Sequence, residues 1–187
     1  MSDDPDQPEG VEPEAPDLPD AFVADGRLLV AGFDAQTDIE IDVEALCTIA
    51  VAVLSGEGVP QGRIDLHLVD ADTITELNVE HMGASGPTDV LSFPLDDDPF
   101  ALPDDEPSII GDLVLCPSVA VAQAPEHAGT VDAELALLVI HGVLHLLGHD
   151  HAELDETIDM QARERRHLSE LGHVHPVPAE PTDPPAP

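Results

Sequence analysis

The sequence predicts an α/β or α+β protein built around one small mixed sheet. Segments of strand character interleave with segments of helical character along the chain. Apolar residues make up 42% of the 187 positions, enough for a real core, and the length is that of one domain. Aromatic residues are only 2%, with no Trp or Tyr, so the core has to be built from Leu, Val, Ile and Ala.

The elements follow in order. Arg27 to Phe33 (RLLVAGF) reads as a first strand, and the Ala-rich apolar run Asp42 to Leu54 is long enough for a helix. Asp65 to Val69, after Gly62, is a short strand. Asp72 to Met82 carries Ile74, Leu77, Val79 and Met82 near helical spacing, with Asp72 as the expected N-cap. Thr88 to Phe93, bracketed by Pro87 and Pro94, reads as a strand, the acidic stretch Asp96 to Glu106 as a loop, and Ile109 to Cys116 as another strand. Pro117 opens a short helix, where its missing N–H costs little. Val131 to Leu147 is apolar almost all round and should be a buried helix, stopped by Gly148. Leu154 to Leu171 is a last, more polar helix ending before Gly172.

Both ends differ from this middle. Residues 1–20 hold eight acidic residues and five Pro; residues 172–187 hold six Pro. Neither can bury enough apolar surface to offset chain entropy. The expected organisation is an acidic Pro-rich disordered tail over 1–24, a folded domain over 25–171 and a Pro-rich disordered tail over 172–187.

Forty acidic residues face five basic ones, all Arg, for a formal charge of −35. Thirty of the acids and all five Arg lie in 21–171, so the folded part is itself near −25. A broad basic surface for nucleic acid or an anionic membrane is excluded, and no DNA partner is expected. The apolar run Ala45 to Leu54 is far short of the roughly 20 residues a membrane span needs. The start, MSDDPDQPEG, has no basic or apolar stretch, so no secretory signal is expected. Cys47 and Cys116 are too few for a disulfide framework and too isolated for a metal knuckle; both read as buried thiols in a reducing cytoplasm.

The chemistry is concentrated in HGVLHLLGHDH, residues 141–151. His141 and His145 are four apart and share one helix face, a spacing at which two imidazoles can grip one ion. Gly148 permits a left-handed turn, so His151 can swing back as a third ligand. His149 would continue the face only if the helix ran on, and His151 is the favoured third ligand. Three neutral imidazoles and one open position suit a catalytic zinc that acidifies a bound water. Asp150 is either a group that orients an imidazole or a solvated turn residue. The spacing is also that of metzincin peptidases, HExxHxxGxxH, but their general base, Glu, is here Gly142. A peptidase mechanism lacks its base.

Beyond spacing, HGVLHLLGHDH resembles the signature of the YbeY family of metal-dependent rRNA-processing endoribonucleases, close to HGxLHLxGYDH, with His149 where that family usually has Tyr. GPTDVLSFP (Gly86 to Pro94) and GDLVLCP (Gly111 to Pro117) resemble two further family blocks in the family's order. The resemblance covers about residues 25–171. It implies an α+β fold, a mixed and roughly four-stranded sheet with about five helices, and a metal in a cleft at the end of the buried helix. It implies one Zn2+ held by His141, His145 and His151. It also implies a cytoplasmic, single-strand-specific endoribonuclease acting in 16S rRNA 3′-end maturation and ribosome quality control, with rRNA and the ribosome or its proteins as partners. Many members carry an Arg in LNxxYR; here the stretch is LNVEHM, with Met82 at that place, as in the actinobacterial branch. The metal itself, Arg63 and His81 are the candidates for holding phosphate.

Attack by an activated water and attack by the ribose 2′-OH both stay open, and Asp150, His149 and Asp112 are the candidate proton carriers. Thr88 and Ser92 either line the cleft or face water. Arg163, Arg165 and Arg166 form the only basic cluster, which either contacts RNA or, the favoured reading, is balanced by Glu153, Glu156 and Glu164. Two rival readings remain: another three-His metallohydrolase, and a non-catalytic, zinc-stabilised ribosome-assembly factor.

Overall fold

The structure, a computed structural model, describes residues 18–95, 99–100 and 109–173. The loop expected over Asp96 to Glu106 lies almost entirely outside the described residues, as do most of the two expected tails.

The chain forms β1 (Ala21–Asp25), β2 (Leu28–Asp34), α1 (Val43–Gly56), β3 (Gly62–Leu68), α2 (Ala71–Leu77), a π-helical turn (Asn78–Met82), β4 (Val90–Pro94), β5 (Ile109–Leu115), α3 (Pro117–Gln123), α4 (Val131–Leu146) and α5 (Leu154–Glu170). The class is α+β. The sheet has five strands in the order β1-β2-β3-β5-β4, parallel in its middle and antiparallel at both edges.

β1 is the difference from the sequence reading, which expected about four strands and a domain beginning at residue 25. Ala21–Asp25 sits among acidic and Pro-rich residues and is mostly exposed. It forms because Gly26, at φ 62°, turns the chain in two residues and sets Asp25 opposite Leu28. As an edge strand it needs little apolar surface of its own. Asp20 reinforces it, its carboxylate accepting from the Asp34 N–H at 2.7 Å.

The β3 sequence GRIDLHL alternates strictly, so Ile64, Leu66 and Leu68 bury on one face while Arg63, Asp65 and His67 point to the other. α1 and α4 cover the first face, forming the main core with Leu46, Val53, Leu54, Leu135, Ile140 and Leu144. Each such side chain contributes about 1.5–3 kcal/mol on burial. α2 covers part of the second face, where Val69, Ile74, Leu91, Val114 and Cys116 form a smaller cluster. Both cysteines are fully buried, and burial among apolar groups beside Glu44 pushes the Cys47 thiol up to about 11, so it is an inert core residue.

Asp70, not the expected Asp72, caps α2: its Oδ1 accepts from the Thr73 N–H at 2.8 Å, because the helix starts at Ala71, two residues before the start that a cap at Asp72 would give. The expected helix through Met82 widens into the π-helical turn at Asn78 and stops at Gly83, φ 65°. The Asn78 amide donates to the Gly86 carbonyl at 3.0 Å, tying down the loop that leads into β4.

Candidate metal centre

α4 is buried along nearly its whole length, as its sequence requires, and its last turn presents His141 and His145 at the surface of the core. It ends in a Schellman motif. Gly148 adopts φ 86°, its N–H donates to the His145 carbonyl at 3.0 Å, and the His149 N–H donates to the Leu144 carbonyl at 3.0 Å. The reversal sends residue 149 one way and residue 151 the other.

His141, His145 and His151 come together, with one ring nitrogen from each lying within 4.8 Å of the others. The Nε2 atoms of His141 and His145 are 3.1 Å apart. Ligands about 2.0–2.1 Å from a tetrahedral ion sit about 3.3–3.4 Å from one another. The pair is therefore near the spacing one ion requires. Burial holds the His145 imidazole below the ordinary histidine pKa, and the neighbouring His141 and His151 lower it further. A lowered pKa favours the neutral imidazole, the form that can offer a lone pair to a metal. The donor set, the spacing and the protonation state fit a first-row divalent metal ion.

Glu164 of α5 completes the arrangement. Its residue is 7% exposed and its Oε1 lies 2.7 Å from His141 Nδ1. The carboxylate accepts the Nδ1 proton, which fixes the tautomer and aims Nε2 at the cluster. The expected role of Glu164 as a counter-charge for the arginines is thus corrected. Glu153 and Glu156 do not serve it either; they form a capping box at the start of α5. The acids that answer Arg163 and Arg166 are Asp159 and the distant Glu57. One signal for Glu164 was available: it lies on the buried stripe Met160, Glu164, His167, Leu168 of an otherwise polar helix.

An open cleft of about 340 Å3 adjoins the two helix histidines, lined by Met82, Val90, Leu91, Ser92, Pro94, His141 and His145. The Ser92 hydroxyl donates to the Gly142 carbonyl at 3.1 Å, so it faces the helix, not bulk water. Gly142 has no room for a side chain: a Cβ there would lie 2.2 Å from Leu113 Cδ1. A glutamate at the metzincin position would have to displace the buried Leu113 side chain of β5.

The other candidates separate. His149 turns away from the cluster, its ring nitrogens 3.8 Å from Glu57 and 3.9 Å from Asp159. Asp112 lies on the opposite sheet face, 4.0 Å from His67, where burial raises its pKa. Arg63 is on that face too, paired with Asp65 at 2.6 Å. His81 packs edge-on against Phe93, ring centroids 4.9 Å apart. Asp150 stays beside the cluster, its Oδ1 accepting from the His151 N–H at 2.7 Å. Thr88 donates to Asp89 at 3.1 Å.

An α+β domain with three convergent imidazoles at the end of a buried helix, and no general base beside the first, defines a class of three-histidine metal-binding protein distinct from the HExxH peptidases. Within that class the chain belongs to the endoribonuclease YbeY family, whose model matches residues 33–172. It is 43% identical over 140 residues to the endoribonuclease YbeY of Nocardia farcinica, covering 72% of this chain and 76% of that one. It is 42% identical over 142 residues to the endoribonuclease YbeY of Salinispora tropica, covering 72% and 90%. The solution structure of TM1509 from Thermotoga maritima superposes with a TM-score of 0.50 at 25% identity, covering 84% of this chain and 99% of that one. Among the described residues no helix is long and apolar enough to cross a membrane.

Proposed function

We propose that the protein is a zinc-dependent, single-strand-specific endoribonuclease acting in the cytoplasm on rRNA, at the 3′ end of 16S rRNA, in ribosome maturation and quality control. The observation that carries this is the convergence of His141, His145 and His151 within 4.8 Å beside an open cleft, in a chain of the endoribonuclease YbeY family. These three imidazoles would hold the ion. When bound, zinc supplies Lewis acidity toward a phosphodiester and lowers the pKa of water toward neutrality.

The residues do the rest. Glu164 holds the His141 proton on Nδ1 and so keeps Nε2 available. Met82, Val90, Leu91 and Pro94 offer an apolar wall that suits an unstacked base and not a duplex backbone. Asp150, exposed and next to His151, is the proton carrier the geometry favours. Glu164→Gln removes the charge that anchors the imidazole, and zinc affinity measured by chelator competition should fall about 10–100-fold.

No Lys or Arg lines the cleft, and Arg63, Arg163 and Arg166 are each paired with carboxylates. Phosphate contacts and counterion release therefore contribute little, and the acidic body repels RNA over a Debye length of about 8 Å. Cleavage of a 16S 3′-end precursor fragment by zinc-loaded protein should hold steady or improve as salt rises; a steep loss with salt would overturn this. The product ends decide the nucleophile: a 5′-phosphate and 3′-hydroxyl support attack by water, and a 2′,3′-cyclic phosphate supports attack by the 2′-OH. The acidic surface alone also suits a zinc-stabilised assembly factor that docks on basic ribosomal proteins, which predicts folded, zinc-loaded protein that cuts no RNA.

A further inference from the structure

A second cluster of charged groups adjoins the three histidines, and one of its members, His149, makes a backbone hydrogen bond to the His145 ring. Its centre is Glu57, the residue that ends α1, whose side chain is 4% exposed. Both Arg163 and Arg166 of α5 donate to this carboxylate, and His167 Nε2 lies 2.8 Å from its Oε1. Arg163 also donates from Nε to Asp159 at 2.7 Å. The His149 ring packs beside it, 3.8 Å from Glu57 and 3.9 Å from Asp159, beyond hydrogen-bond distance. The backbone makes room for this: a Cβ on Gly56 would lie 2.7 Å from His167 Cε1. Burial alone would raise the Glu57 pKa, but the His167 hydrogen bond and the two guanidinium charges outweigh it and keep the carboxylate ionised.

Two of the residues gathered here adjoin the segments that carry the proposed ligands. Arg163 immediately precedes Glu164, which holds His141. His149 lies inside the turn that separates His145 from His151. One buried carboxylate thus holds the α5 turn carrying Glu164 by hydrogen bonds and packs against His149 in the reversal that carries His151.

We propose that Glu57 is a positioning residue for the metal centre, setting the geometry of the three imidazoles through Arg163 on one side and His149 on the other. This rests on the reading of His141, His145 and His151 as ligands. Neither Glu57 nor Arg163 touches the ion or the substrate, so the effect is read in the metal's surroundings.

The test uses the full chain with cobalt(II) as probe. Affinity is measured by chelator competition, ligand geometry by the visible absorption bands, and stability by thermal melting without metal. Glu57→Gln should bind cobalt at least about tenfold more weakly, the range for groups that support ligands, with altered bands. Val30→Ala, in the β2 core and away from the cluster, should lower the melting temperature and leave affinity and bands unchanged. Should Glu57→Gln fail to fold, Arg163→Gln, which leaves Glu57 paired with Arg166 and His167, carries the same criteria. Wild-type affinity and bands in the folded variant would overturn the proposal alone. A wild-type chain that takes up no cobalt would overturn the ligand reading, and the proposal with it.

Discussion

His145→Ala should reduce zinc-dependent cleavage of single-stranded rRNA by about a thousandfold or more, a loss of at least about 4 kcal/mol of transition-state stabilisation. In the proposed ligand set His145 is the middle member. Its Nε2 is 3.1 Å from that of His141, and its ring packs against both partners, centroids 4.6 and 5.1 Å away. Without it, two imidazoles remain, on a helix and on a turn, and no three-point grip exists. The substitution should leave the fold intact, because the ring is only partly buried, lines the cleft and is not part of the apolar core. Circular dichroism and metal-free melting should match wild type while zinc content falls well below one equivalent. Cleavage near wild-type rate by a metal-poor His145→Ala sample would show that the chemistry lies elsewhere.

Gly142→Glu should fail as a route to a peptidase, and it should cost about 3 kcal/mol or more of stability. The substitution recreates HExxH on paper. In the fold the first side-chain carbon would already lie 2.2 Å from Leu113 Cδ1 and 3.2 Å from Ser92 Oγ. Overpacking of this kind costs about 1–3 kcal/mol, and burying an unpartnered carboxylate costs several more. The gain from replacing a helical Gly returns about 1 kcal/mol at most. Against a typical domain stability of about 5–15 kcal/mol, the loss is large. Urea unfolding reads it directly, and Leu113→Ala in the same chain should recover part of it by opening the space that the new side chain needs. A Gly142→Glu chain as stable as wild type would mean that α4 is not pressed against β5 as described.

What the sequence made legible was local. The i, i+4 histidines and the glycine three residues further on specify a helix, its stop and a reversal. From those alone His151 can be preferred to His149, and the Schellman motif at Gly148 turns the two apart. Buried strands and helices were legible from their apolar runs, though α2 begins one residue before its expected cap. β1 was not, because its surroundings read as a tail; the Asp25-Gly26 pair before a strand was the cue. Glu164 and Glu57 were hidden for a different reason. Glu164 meets His141 across 23 positions, and Glu57 meets Arg166 across 109. No spacing rule reaches that far. Only two polar residues on an otherwise apolar helix stripe, Glu164 and His167, hint that buried partners wait for them.

On the proposed mechanism, one ion held by three imidazoles makes this chain a ribonuclease. The most direct test strips the full chain with chelator and then measures cleavage of a single-stranded 16S 3′-end fragment against added equivalents of zinc. Cleavage should be absent without zinc, rise linearly and level off at one equivalent per chain. Cleavage that persists after stripping, or stays absent from a folded chain carrying one zinc, would contradict it.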